Sequence, residues 1–396
     1  MNDDQTPPVV PAVGAQPPAA GDLWASDRPE LVAIRWEAQR RIASRWAVLC
    51  MAIVRSLLTI PHTVRYRSAL HPEGSPLNLA ASLVGTSGAG KSTADRGAGV
   101  AVQWQGADIP RETTARSGEG VAALFAYMHA DKGSDTAPEL RWRRTDHAAR
   151  LHWDEVGALA GQGARTGSTV LDVLKSMVSG EHLGGENSRG DGLIIPPGQY
   201  RAVLTVAVQP EVAGKLLTAE NIASGLAGRF VWFAAEDAAA ASLPIPTTPT
   251  EPHTVGLGQW DAVRFVDALP EMNAAHEADQ RAAHLGERSA VDSRRLLNRA
   301  LIAVALANMA GRAVLISDDW RLAGAVLAHS DAVLDDLLAT AEQTAEERKA
   351  AAEAERERKV RDSIAKARAV GDNWGTWWKG ASNLQRVTAQ RLGLQW

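Results

Sequence analysis

Gly85-Thr86-Ser87-Gly88-Ala89-Gly90-Lys91-Ser92, set directly after the largely apolar residues 77–84, constrains this chain more than any other segment. It fits the pattern G-x-x-x-x-G-K-[ST], which needs a buried strand before it and a helix after it. The glycines let successive backbone N–H groups curl around an anion where a Cβ would intrude. Lys91 is then placed to reach the outer phosphates of a nucleotide. Ser92 and Thr93 open the helix whose positive end faces the same point. The expectation is a nucleoside triphosphate on residues 85–93, with Mg²⁺ on Ser92.

Charge narrows the class. The 396 residues carry 42 basic and 46 acidic side chains, so no global field selects nucleic acid or a membrane surface. Any nucleic-acid contact must be local. Cys50 is the single cysteine, which excludes an intrachain disulfide and zinc sites built on several cysteines. His147 with His152, and His276 with His284, lack a convincing ligand spacing and read as surface or packing residues. The acidic start Met1-Asn2-Asp3-Asp4 lacks a signal-peptide pattern, and the apolar residues 46–60 are too short for a span and contain Arg55. The expectation is a cytoplasmic protein without a membrane segment.

Residues 1–22 are Pro- and Ala-rich and read as an unfolded tail. Apolar residues recur at helical spacing from 29 to about 60, where Pro61 stops them, giving an N-terminal helical subdomain over 23–75. Residues 76–240 alternate strands (79–84, 151–153, 200–208, 230–233) with helices (91–102, 120–130, 169–178). That alternation predicts an α/β core with a mostly parallel sheet. A Pro/Thr-rich linker opens 241–288, helices follow over 289–340 with Ser317-Asp318-Asp319 as an N-cap, and a charged helix occupies 341–370. The tail 371–396 is tryptophan-rich, a composition that suits a docking surface.

A phosphate loop signifies binding; hydrolysis needs a carboxylate on the metal and a group that activates water. Arg150-Leu151-His152-Trp153-Asp154-Glu155 supplies both at the end of an apolar strand, about sixty residues after the loop. Asp154 would complete the Mg²⁺ shell and Glu155 would polarise the attacking water. Leu204-Thr205-Val206-Ala207-Val208-Gln209-Pro210 ends another strand in a side-chain amide able to bind the γ-phosphate or its water. Gly225-Leu226-Ala227-Gly228-Arg229-Phe230 places one arginine between glycines and a strand, where it could enter a neighbouring subunit's site. Lys91, Glu155, Gln209 and Arg229 are therefore the candidate catalytic set.

With these segments in order, the chain resembles the P-loop ATPase, helicase-like domain of phage, plasmid and integrated-element replication proteins, of the primase-associated type common in actinobacteria. Further segments that carry the likeness are residues 75–79, Ser117-Gly118-Glu119-Gly120, Asp154-Glu155-Val156, Arg165-Thr166-Gly167-Ser168-Thr169-Val170, Ser179-Gly180-Glu181-His182-Leu183-Gly184 and Gly228-Arg229-Phe230. The likeness covers about residues 45–340. It implies a P-loop NTPase (RecA/AAA-like) α/β core, flanked by an N-terminal helical subdomain and a C-terminal helical lid. It also implies ATP and Mg²⁺ as cofactors, DNA as partner with single strands favoured, a homo-oligomer, expected as a hexamer, and a primase or other replication protein as a further partner. Arg165 and Glu181 match family positions that would face DNA or a neighbouring subunit. The chain departs from the family in lacking a primase motif and in ending soon after the lid, so autonomous site-specific DNA binding is not expected. An ATP-switched scaffold or loader is the alternative, and a P-loop kinase the third reading.

Overall fold

The structure is a computed structural model that describes residues 23–86, 88–129, 138–163, 168–185, 192–248 and 250–394. Ser87, Arg165 and the tail 1–22 lie outside the described residues. The chain divides into two units, Met1–Asp335 and Asp336–Trp396.

The centre of the first unit is a five-stranded parallel sheet. In chain order its strands are β1 (Leu79–Val84), β2 (Glu112–Thr113), β3 (Ala148–Trp153), β4 (Arg201–Val208) and β5 (Phe230–Ala234). Across the sheet they run β5-β1-β4-β3-β2. Both β1 and β4 are buried along their whole length, as expected for continuous apolar strands in a sheet covered on both faces.

Helices α1 (Pro29–Arg40) and α2 (Arg45–Thr59) cover one face. Leu79, Ala81 and Leu83 of β1 share a core there with Ile53 and Leu57 of α2. The same core takes Leu301, Val304 and Leu306 from α7 (Arg295–Met309) and Leu322 and Val326 from α8 (Ser317–Ala369). Burying each such side chain contributes about 1.5–3 kcal/mol. The regions the sequence sets apart as an N-terminal subdomain and a lid thus share one core with the sheet. Helices α5 (Val156–Gly163) and α6 (Val170–Ser179) serve the opposite face, where Leu159, Leu174 and Val178 meet Ala80, Leu204 and Phe230. Alternate β1 residues therefore point to different helical layers.

Some local expectations change. The helical pattern over 29–60 breaks at Ile42, whose φ is 50°, and Ser44 restarts it by accepting from the Ala47 N–H at 3.3 Å. The helix expected over 120–130 is α4 (Gly118–Phe125), after which Ala126–His129 pairs antiparallel with Glu139–Trp142. Cross-strand pairing outweighs helix propensity there. The segment read as a linker gives His253–Val255, parallel to Val102–Trp104, and Phe265–Asp267, parallel to Arg65–Arg67. Strands this short carry little periodic signal.

The second unit has its own small core. The distal part of α8, Trp374–Gly380 and Asn383–Arg391 bury Val360, Ile364, Trp377, Ala381 and Ala389 together. Trp374 and Trp378, both half-buried, pack against that core, so these three tail tryptophans contribute to the unit's own interior.

Candidate functional site

One rung of the sheet fixes the geometry. Trp232 of β5, Ser82 of β1, Val206 of β4 and Trp153 of β3 lie side by side. Counting upward from that rung, Gly85, Gln209 and Ala235 are each three residues on, and Asp154 and Glu155 one and two residues on. Parallel strands make all of these residues leave from the same carboxyl edge. With neighbouring strands about 4.8 Å apart, β1 and β3 stand about 10 Å apart across β4. Moreover, β1 connects onward toward β2, while β4 connects the other way to β5, so their right-handed crossovers use opposite faces. The edge between them is a topological switch point, where open α/β sheets bind ligands.

The described residues of the loop run from the end of β1 to the start of a helix. Gly88 and Gly90 take φ of 89° and 77°, a left-handed geometry that a Cβ resists, and α3 (Lys91–Ala101) starts at once. Lys91 Nζ donates to the carbonyls of Gly85 at 2.8 Å and Thr86 at 3.0 Å. Burial lowers its pKa, while Glu236 and Glu211 pull the other way. Helix α3 is tied to the acidic strand through Asp95, which pairs with Arg150 of β3 at 2.8 Å and with Arg55 of α2 at 3.1 Å. Arg150 also pairs with Glu112 of β2 at 2.5 Å. These pairs fix the loop helix against β3.

Asp154 carries a 95 % exposed carboxylate whose Oδ1 lies 3.0 Å from His152 Nε2. His152 Nδ1 lies 2.8 Å from Thr205 Oγ1 on β4. A carboxylate only accepts, so Nε2 carries the proton in this contact. His152 is therefore more than a packing residue: it holds Asp154 against β4. The packing reading suits His147, which stacks on Trp142 at 3.7 Å and on His62 at 4.3 Å.

Glu236 escaped the sequence reading. It follows β5 at the same edge, and its Oε1 accepts from the Thr86 N–H at 2.9 Å and Thr86 Oγ1 at 2.6 Å. The hydrogen bonds from Thr86 hold its pKa below the usual carboxylate range. Without the strand order, nothing in the sequence places residue 236 beside residue 86.

Two other candidates lie elsewhere. Arg229 immediately precedes β5 and so sits at the amino edge of the sheet, the length of a strand away from its own loop. Its Nη1 donates to the carbonyls of Ser224 at 3.3 Å and Gly225 at 2.9 Å, and burial lowers its pKa against the pull of Glu181. Glu181 follows α6 and stands at that same edge, where Ser176 Oγ donates to it at 2.7 Å. Neither belongs to the carboxyl-edge group in the same chain.

For a metal, the donors at the carboxyl edge are the exposed hydroxyl-bearing Ser92 and the exposed carboxylate of Asp154. Hard oxygen donors of this kind suit Mg²⁺, which keeps waters and phosphate oxygens as its other ligands. Among the described residues no group of three or more His, Cys, Asp or Glu could hold a metal ion alone, and a Mg²⁺ carried by a triphosphate needs none. No helix among the described residues is long and apolar enough to cross a membrane. No protein-family model and no curated protein matches the chain.

Proposed function

We propose that this chain is an ATP-hydrolysing P-loop NTPase that acts on DNA, as a ring-forming helicase or translocase of a mobile-element replication module. One observation carries the hydrolytic part: Lys91, Ser92, Asp154, Glu155 and Gln209 leave three adjacent parallel strands at one edge of the sheet. The backbone N–H groups around Gly88 and Gly90 and the start of α3 would bind the phosphates. Lys91 would exchange its two carbonyl acceptors for phosphate oxygens. Ser92 and Asp154 would hold Mg²⁺, which neutralises charge on the triphosphate. Glu155 would take a proton from water as the water oxygen bonds to the γ-phosphorus and the bond to the β–γ bridging oxygen breaks. Gln209, between the β1 and β3 ends, would orient that water. The products are ADP and phosphate.

Arg229 stands away from its own loop, so any role on a γ-phosphate requires a second copy. The oligomer, expected as a hexamer, rests on the resemblance. DNA as partner rests on the resemblance alone.

The test is ATP turnover without DNA, with single-stranded DNA and with duplex, alongside particle size with and without ATP. A translocase shows several-fold stimulation by DNA and ATP-dependent assembly. Turnover indifferent to DNA favours the scaffold, and absence of turnover ends the NTPase reading.

A further inference from the structure

A second polar cavity lies at the amino edge of the sheet, away from the phosphate loop. It has a volume of about 360 Å³ and is lined by Tyr66, Ser68, His276, Arg229 and Arg294, with Leu70 at its rim. That size is at the small end of ligand pockets. Its one lining carboxylate, Asp279, is paired with Arg288 at 2.8 Å. Arg229 and Arg294 make no ion pair within 4.0 Å among the described residues. Each is held by backbone carbonyls through one nitrogen only: Arg229 Nη1 as above, and Arg294 Nη2 by Asn78 O at 3.3 Å and Val178 O at 2.9 Å. Arg229 Nη2 and Arg294 Nη1 make no hydrogen bond among the described residues.

The local backbone is shaped for this pairing of arginines. A Cβ on Gly228 would come within 2.1 Å of the Val291 carbonyl oxygen, so only glycine lets the segment before Arg229 close on the segment before Arg294. Burial and their mutual repulsion disfavour two cations here, and bring Arg294 down to about 10. Glu181 acts on both from a distance. Two forked guanidiniums match the oxygens of a phosphate group, and beside them the Tyr66 hydroxyl pairs with His276 Nε2 at 3.0 Å.

We infer that this cavity binds a phosphate group between Arg229 and Arg294. The phosphate comes either from the triphosphate on a second copy's loop or from a free phosphate compound. The first source rests on the function proposed above; the cavity's chemistry does not.

The experiment uses the full chain in two arms at fixed salt. In the first, tripolyphosphate is titrated calorimetrically into Lys91→Ala, whose own loop is disabled, with and without Leu70→Glu. Leu70 is 41 % exposed, so a glutamate there adds a repelling charge without disturbing the core. Thermal melting confirms that the variant folds, and Arg294→Gln provides a second disruption. Binding by Lys91→Ala and at least a tenfold loss on adding Leu70→Glu are expected. No binding, or binding indifferent to both changes, overturns the inference.

In the second arm, Lys91→Ala and Leu70→Glu subunits are mixed and ATP turnover is compared with each alone. Recovered turnover identifies the neighbouring subunit's nucleotide as the phosphate donor. Binding in the first arm without recovery in the second assigns the site to a free phosphate compound. A wild-type chain that does not turn over ATP sinks the proposed function but leaves the first arm decisive.

Discussion

Thr86 donates from both its backbone N–H and its Oγ1 to a single carboxylate oxygen of Glu236, at 2.9 and 2.6 Å. An anion just beyond β5 thus occupies donors of the loop proposed to bind phosphate. The carboxylate also acts on Lys91 through space.

Glu236→Gln removes a negative charge that competes with the triphosphate, so ATP affinity should rise by about three- to tenfold at low salt. Titration calorimetry measures it. Because the Glu236 pKa is lowered, its contact with Thr86 is complete above the ordinary carboxylate range and is lost only as pH falls through the lowered value. The gain should therefore be constant from pH 6 to 8. Unchanged or weaker affinity would show that Glu236 supports the loop instead of competing for it.

Lys91→Ala and Glu155→Gln should separate binding from chemistry. The first loses nucleotide binding. The second retains it, and its turnover drops by about 10²–10⁴, the usual contribution of a general base. A fluorescent nucleotide analogue and a phosphate-release assay read the two quantities. Normal turnover by Glu155→Gln would remove that residue from the site.

Asp319 is fully buried in the turn that opens α8 and pairs with Arg28 at 2.9 Å and with Arg312 at 2.7 Å. It also accepts from the Ile316 N–H at 3.0 Å. Asp319→Asn leaves Arg312 without its carboxylate, while Arg28 keeps Glu30 at 2.6 Å, so the cost should lie near the lower end of the roughly 3–5 kcal/mol typical of a broken buried pair, about 3 kcal/mol. Urea unfolding should show it, and adding Arg312→Met should recover part of the loss.

His329 stacks on Trp46 at 3.8 Å and accepts from the Ala234 N–H at 3.1 Å, so its Nε2 must stay unprotonated. Burial pushes its pKa down to about 4. The unfolded chain, with an ordinary value near 6.5, therefore binds the proton first as pH falls. Its contribution is full above about pH 6.5 and declines toward pH 4, by at most about 3 kcal/mol. His329→Gln should flatten the melting temperature over that window; an unchanged slope would exclude this histidine.

Sequence and tertiary structure divide the site between them in a physically ordered way. Residues 85–92 announce themselves because the pattern is local: its glycines, lysine and hydroxyl lie within one turn and one helix start. Asp154-Glu155 and Val208-Gln209 were legible for a similar reason, since apolar runs ending in polar residues mark strand ends at a covered edge. By contrast, β2 (Glu112–Thr113) and the strands 253–255 and 265–267 are too short for periodicity to register, and only pairing creates them.

By itself, then, the sequence determined a buried parallel strand feeding a glycine-lysine-serine loop, and the residues that end neighbouring strands. Strand order was decided by the tertiary structure alone, because it depends on which apolar faces pack together across more than a hundred residues. The order β5-β1-β4-β3-β2 brings Glu236 onto Thr86 and His152 between Thr205 and Asp154. It also sends Arg229 to the far edge, where it meets Arg294 instead of its own loop. Hydrophobic pattern is written residue by residue, whereas the meeting of distant charges exists only once the chain has closed.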